Sequence, residues 1–214
     1  MIIFWPSDIP QPPQYKRGSV NDEIISLLDL TATTMTMAGI KRPLLMQSRI
    51  FLGPEADPPR PFAFSARDRI DETVIRIRSV RDKRYHYVRN FTPGAGFPSL
   101  NRYKEKCFLI KPLMRRLDAE GKLSGPPADL MEPMPREQLY DTQSDPHEID
   151  NLVGSSEPKH RKALQRLRAA LDTWITETGD RGRYLEPEEV VAPFEKEMHE
   201  WFGTPDWYQD REQE

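Results

Sequence analysis

The stretch "EQLYDTQSDPHEIDNL", residues 137–152, decides how this chain is built. It begins as a strand in which Leu139 and Tyr140 can bury, then crowds turn formers, carboxylates and one histidine together. Asp141, Ser144 and Asp145 stand before Pro146, and side chains of these types bond local backbone amides and favour turns. Glu148 and Asp150 precede the apolar pair Leu152 and Val153, which can anchor a loop beneath a following helix. A metal site would need a second convergent ligand beside His147, and turn carboxylates around one histidine do not supply it. The stretch reads as a chain-reversal device.

The helix it leads into is "EPKHRKALQRLRAALDTWITETGD". Leu164, Leu167, Leu171, Trp174 and Ile175 form an apolar stripe, Pro158 suits the first turn and Gly179 the end. On the other side of the reversal lie three strand-like runs, "PFAFSAR", "VIRIRSV" and "RYHYVRNF". The polar "RDKR" at 81–84 separates the last two, so 74–91 reads as a β-hairpin. His86, between two tyrosines, reads as a stacked or surface imidazole. A second helical stretch is expected over about 101–120, ended by Gly121. Within it "YKEKCFLIKPL" makes Cys107 a packed thiol on an amphipathic face. The tail carries Phe194, Met198, Trp201, Phe202 and Trp207, aromatics and a thioether that predict a short docked helix. Together these give an α+β chain: a small antiparallel sheet with a hairpin, packed on a long C-terminal helix.

The N-terminal part reads differently. "MIIFWP" is a dense apolar run stopped by proline, the pattern of a fully buried strand. From Ser19 to Gly39 the spacing of Ile24, Leu27, Leu28, Thr31, Met35 and Ala38 predicts a helix, with Asn21 or Ser19 as its cap.

Composition narrows the function classes. Only 37% of the 214 residues are hydrophobic and 30% are charged, so the core is thin. The 21 prolines, about twice the average share, imply short elements joined by extended loops. The 31 basic and 34 acidic residues are mixed along the chain, which leaves no nucleic-acid footprint. One cysteine excludes an internal disulfide and a thiolate metal cluster. No run has the length of a membrane span, and the first residues do not read as a secretion signal.

The reversal device, with Leu139-Tyr140-Asp141, Asp145-Pro146-His147-Glu148 and Asn151-Leu152 before a long helix, resembles the C-terminal region of sulfatases of the alkaline phosphatase-like superfamily. "IIFWP" is similar to their sheet strand after the last catalytic segment. "NDEIISLLDLTATTMTMAGI" is similar to their following helix, with Thr33 where proline is usual, and "RSVRDKRYHYVRNF" to their hairpin. "RDRIDET" points to the branch with heparan N-sulfatase and many bacterial sulfatases.

The resemblance implies three parts: 1–53 as the tail end of the α/β catalytic domain, 54–184 as a C-terminal α+β subdomain and 185–214 as a docked extension. It implies a complete enzyme using a formylglycine, made in a Cys/Ser-x-Pro/Ala-x-Arg motif, and a divalent cation, usually calcium. Here Cys107 is followed by Phe-Leu-Ile-Lys, so no residue of the chain is expected as nucleophile or metal ligand. The implied partners are the N-terminal catalytic part and, in the complete enzyme, a sulfated saccharide. Complete relatives are often periplasmic, secreted or lysosomal, which leaves the compartment open. The candidate substrate-binding residues are Arg67, Asp68, Arg69, Asp71 and Glu72, in a loop expected between a strand and the hairpin. The alternative is a non-catalytic module, either for a protein partner or for a polyanion gripped by Arg67, Arg69, Arg76, Arg78, Arg81, Arg84 and Arg89.

Overall fold

A computed structural model describes residues 1–209, in two compact units: 1–64 with 81–84, and 65–80 with 85 onward. The fold is α+β around one antiparallel sheet of strands β1 (Ala63–Ile70), β2 (Thr73–Arg81), β3 (Tyr85–Asn90) and β4 (Glu137–Asp141), in that spatial order. β3 pairs antiparallel with β4 so that Tyr87 faces Leu139 and His86 faces Tyr140. The hairpin at 81–84 forms as the sequence predicts.

In the larger unit the core lies between the sheet and a long helix. Between β3 and β4 come helices α2 (Arg102–Cys107), α3 (Ile110–Ala119) and α4 (Pro126–Asp129), and after β4 comes α5 (Pro158–Glu177). The expected single helix over 101–120 is two. Asn101 caps α2 by accepting from the Lys104 amide, and Phe108 turns extended. Pro112, which has no N–H and whose ring would strike the carbonyl of Phe108, keeps one helix from running through. The break also leaves Cys107 exposed, not packed. The apolar stripe of α5 behaves as its spacing requires: Ala163, Leu164, Leu167 and Leu171 are buried. Gly179 ends this helix at φ +62°, a left-handed conformation that glycine adopts without a Cβ clash.

Residues 142–154 reverse the chain by side-chain to backbone bonds. Asp145 Oδ2 accepts from the amides of Ile149 (2.7 Å) and Asp150 (2.9 Å). Asn151 Oδ1 accepts from Leu139 N (3.1 Å) and Val153 N (3.2 Å), while its Nδ2 donates to Glu137 O (3.1 Å). One amide thus ties the loop to β4. His147 is exposed, and Glu148, at φ +55°, pairs with His86 Nδ1 at 2.9 Å. The expected stacked or surface imidazole of His86 is thus half-buried and hydrogen-bonded to Glu148. The last helices are α6 (Glu188–Phe202) and α7 (Asp206–Gln209); α6 meets α2, with Phe202 5.5 Å from the Tyr103 ring and Met198 buried, and the Arg115 guanidinium of α3 lies 3.5 Å over the Trp207 ring of α7. Trp201 is exposed. Residues 210–214 of the expected extension lie outside the described residues.

The smaller unit departs most from expectation. Residues 2–5 form no strand, and Ile2 is 98% exposed. A strand needs neighbours for its amides and carbonyls, and no described strand runs beside it. The helix here is α1 (Leu28–Met37), shorter than the spacing suggests; Asn21 accepts from Glu23 N in a turn and caps nothing. Its buried face is Asp29, Ala32 and Thr33, while Leu27 (84%) and Leu28 (63%) are exposed. The unit is held mainly by polar bonds. Asp29 accepts from Ser26 N (2.9 Å), Arg49 N (2.7 Å) and Arg60 Nε (2.7 Å). Asp57 accepts from Ile50 N (2.7 Å) and Arg42 (2.5 Å).

Two outcomes follow. Leu171 is fully buried, so Leu171→Ala should cost about 2–5 kcal/mol in denaturant melts. Burial raises the pKa of Asp29, but Arg60 and the amides of Arg49 and Ser26 outweigh it and hold the carboxyl below its ordinary 3.8. A depressed folded value means stability fully present above pH 3.8 and lost as pH falls through the lower folded value. The amide resonances of Ser26 and Arg49 should accordingly titrate together below that pH, and Asp29→Asn should abolish the titration.

Candidate functional site

The five candidate residues do not share a loop. β1 runs through Arg67, Asp68 and Arg69, and only Asp71 and Glu72 form the turn. The charges concealed how far the strand of "PFAFSAR" runs on: alternation sends Arg67 and Arg69 to one face and Asp68 to the other. Asp68 accepts from Arg78 Nη2 at 2.8 Å. Arg69 donates to Glu186 (2.9 Å) and to Asp71 O (2.6 Å), and its guanidinium lies 3.9 Å above the Phe194 ring. Asp71 takes φ +54° and accepts from Asn101 Nδ2 at 3.3 Å. Glu72 accepts from Arg102 N (2.8 Å). These four residues are bound within the fold.

Arg67 differs. Its Nε is shut from solvent with no hydrogen-bond partner, and burial lowers its pKa. It lines a pocket of about 450 Å³ with Thr73, Ile75 and Ile77 of β2 and with Lys104 and Lys111. No local signal marks the two lysines, which reach the pocket from α2 and α3.

The arginine set also divides. Arg76 and Arg78 are buried, although alternating arginines in an antiparallel strand suggest an exposed face. Arg76 donates to Arg183 O (2.7 Å) and Phe91 O (2.9 Å). Arg78, 1% exposed, uses every N–H it has. Nε bonds Asp180 (3.0 Å), Nη2 bonds Asp68 and Asp180 (2.9 Å), and Nη1 bonds Arg67 O (2.9 Å) and Ile77 O (2.8 Å). Burial opposes its charge, yet the carboxylates of Asp180 and Asp68 outweigh that and raise its pKa. A Cβ on Gly182 would lie 1.6 Å from Arg78 Nη2, so only glycine fits there. Arg89 pairs with Asp172 at 2.5 Å. The set is mostly a structural network.

The described residues hold no group of three or more His, Cys, Asp or Glu placed to bind a metal ion. Among the described residues no helix is long and apolar enough to cross a membrane.

Comparison with known proteins gives the class. No family model matches the sequence. The chain is 34% identical over 184 residues to an ulvan-active sulfatase of Formosa agariphila, covering 86% of this chain and 30% of that protein. It is 29% identical over 201 residues to the human N-sulphoglucosamine sulphohydrolase, covering 83% of this chain and 38% of the human protein. It spans about a third of the length of these curated relatives. Of solved structures, a 2-O GAG sulfatase overlaps 74% of this chain and 26% of its own, at 24% identity and a TM-score of 0.47. A protein solved with its substrate D-glucosamine-2-N,6-O-disulfate overlaps 74% and 25%, at 16% identity and a TM-score of 0.46. The chain belongs to the sulfatase family and corresponds to its C-terminal region.

The Arg78 network yields a graded outcome. Asp180→Asn strands a buried charge and should cost about 3–5 kcal/mol. Asp68 is half exposed, and Asp68→Asn should cost about 1 kcal/mol or less. Chemical denaturation of the two variants checks the order.

Proposed function

We propose that this chain is the C-terminal portion of a sulfatase, a sulfuric ester hydrolase acting on sulfated glycans, whose nucleophile and cation ligands lie in an N-terminal portion outside these residues. The observation that carries the reading is the 34% identity to an ulvan-active sulfatase, of which the chain spans 30%. In this reading residues 1–53 complete the catalytic domain, 54–184 form the subdomain and 185–214 the extension. Calcium and the formylglycine belong to the N-terminal portion, where a doubly charged cation would clamp the anionic oxygens of a sulfate ester.

The exposed side chains of the smaller unit support a docking role for it. Ile2, Phe4, Leu27, Leu44 and Leu45 are all more than four-fifths exposed, and so much apolar surface marks an interaction site. Of the candidate residues, Arg67 is the one with free donors toward a substrate, in planar geometry suited to sulfate or carboxylate. Asp68, Arg69, Asp71 and Glu72 act by positioning the strand and turn that carry it.

The test uses the chain alone and joined to the N-terminal portion of the Formosa agariphila relative. Alone, with calcium, it should not turn over an aryl sulfate or a sulfated saccharide. The hybrid should hydrolyse both, and Arg67→Ala in it should reduce saccharide turnover strongly and aryl sulfate turnover little. Turnover by the repurified chain alone would overturn the reading, and equal minor effects on both substrates would return Arg67 to scaffolding.

A further inference from the structure

The bend between α2 and α3 puts apolar side chains into water. Phe108 turns extended there, and Phe108, Leu109 and Ile110 stand exposed in succession, Leu109 to 81%. Leu113, one turn along α3 from Leu109, continues the same face. From the bend the apolar surface runs on through rings. Phe108 lies 5.6 Å from Tyr103 of α2, Tyr103 lies 5.5 Å from Phe202 of α6, and Phe202 lies 6.2 Å from Trp201, which is 64% exposed. One ridge thus joins the start of α3 to the end of α6. Aromatic residues around an apolar centre are what protein interfaces favour, and a contiguous exposed patch of this kind marks an interaction site.

The two ends of the ridge differ in charge. Residues 104–116 hold five basic side chains and one acidic. That acid, Glu105, is taken up by Lys111 at 3.2 Å and Arg115 at 2.8 Å. Lys106 and Arg116 are exposed and pair with no carboxylate among the described residues. Lys106 shares a face of α2 with Tyr103, and Arg116 lies one turn beyond Leu113. Residues 195–200 hold three carboxylates and one lysine. Glu197, one turn before Trp201, pairs with no cation among the described residues. Glu200 is exposed, 3.8 Å from Lys196.

On one chain the rings hold these opposite ends apart. A two-fold pair brings them together, because each surface in such a pair meets its own copy reversed. Two ridges laid antiparallel set the basic end of each on the acidic end of the other, and the contact is made twice. A uniformly anionic surface would meet repulsion at the α6 end, and a cationic one at the bend.

We infer that this ridge is a homodimer interface, covered by a second copy of the chain packed antiparallel about a two-fold axis near Tyr103. Leu109 and Trp201 lose their water in the pair, and Lys106 and Arg116 of each copy face Glu197 and Glu200 of the other. The dimer uses the larger unit alone and is independent of the sulfatase reading.

Sedimentation velocity of the full chain over a range of concentrations tests it. The chain should form a dimer and no larger species, with a Kd of about 10 μM. Leu109→Asp should weaken association about tenfold or more with the melting temperature unchanged, since this side chain is already in water. Reversing the basic end, by Lys106→Glu with Arg116→Glu, should weaken it as much. So should reversing the acidic end, by Glu197→Lys with Glu200→Lys. An equal mixture of the two reversed chains should dimerise again, because each then supplies the charge that the other lacks. Cys107, the one cysteine and exposed on the face of α2 with Tyr103, gives a second readout: a short bismaleimide should join two parent chains and fail to join two of Leu109→Asp. A monomer at about 100 μM, growth beyond a dimer, or a dimer that Leu109→Asp leaves intact would each overturn the proposal. A mixture of reversed chains that associates no better than either alone overturns it equally.

Discussion

A buried arginine at the centre of β2 is the constraint on which the larger unit rests. Arg78 sits in a site nearly closed to water, where an unpaired charge would be intolerable. Its acceptors are Asp68 and the Arg67 carbonyl of β1, Asp180 from beyond α5, and the carbonyl of its own neighbour Ile77. The strand order, the length of α5 and the turn at Gly179 all serve to deliver Asp180. Gly182 follows because a side chain there would occupy the guanidinium's own volume. The same residue fixes the backbone of Arg67, so the candidate site inherits its geometry from a bond on the opposite face of the sheet.

The two units are stabilised by different means. In the larger one, Leu164, Leu167 and Leu171 of α5 join Tyr87 and Leu139 of the sheet in a conventional apolar core. In the smaller one, Asp29 and Asp57 gather backbone amides and arginines, with Ala32, Ile50 and Leu52 as the buried apolar residues. Ile2, Phe4, Leu27, Leu44 and Leu45, by contrast, are exposed.

The parts that could be read from the sequence were those where local signals and burial agree. The α5 stripe, the 81–84 turn and the reversal at 137–152 rest on spacing and turn chemistry, which need no distant partner. Asn151 illustrates the point, since its bonds reach only β4 and the next turn. Four features escaped for physical reasons. The end of β1 beyond Arg67 was hidden because its alternation is charge against charge, and nothing local shows that Asp68 meets Arg78. Pro112 broke a helix whose apolar pattern ran through it. The face of α1 was misassigned because its buried position is a carboxylate, Asp29, whose partners lie 20 and 31 residues away. The pocket lysines escaped for the same reason: their role depends on where α2 and α3 lie over β2.

The polar construction of the smaller unit has a thermal consequence. The heat capacity of unfolding rises with the apolar surface newly exposed and falls with the polar surface. A unit whose larger side chains are already in water, and whose amides are bound by carboxylates, exposes little new apolar surface when it opens. Its stability curve against temperature should therefore be shallow, with no pronounced optimum, whereas the leucine core beneath α5 gives the larger unit the curvature of an ordinary globular domain. Cooling and warming would then act on the two halves of one chain by different rules.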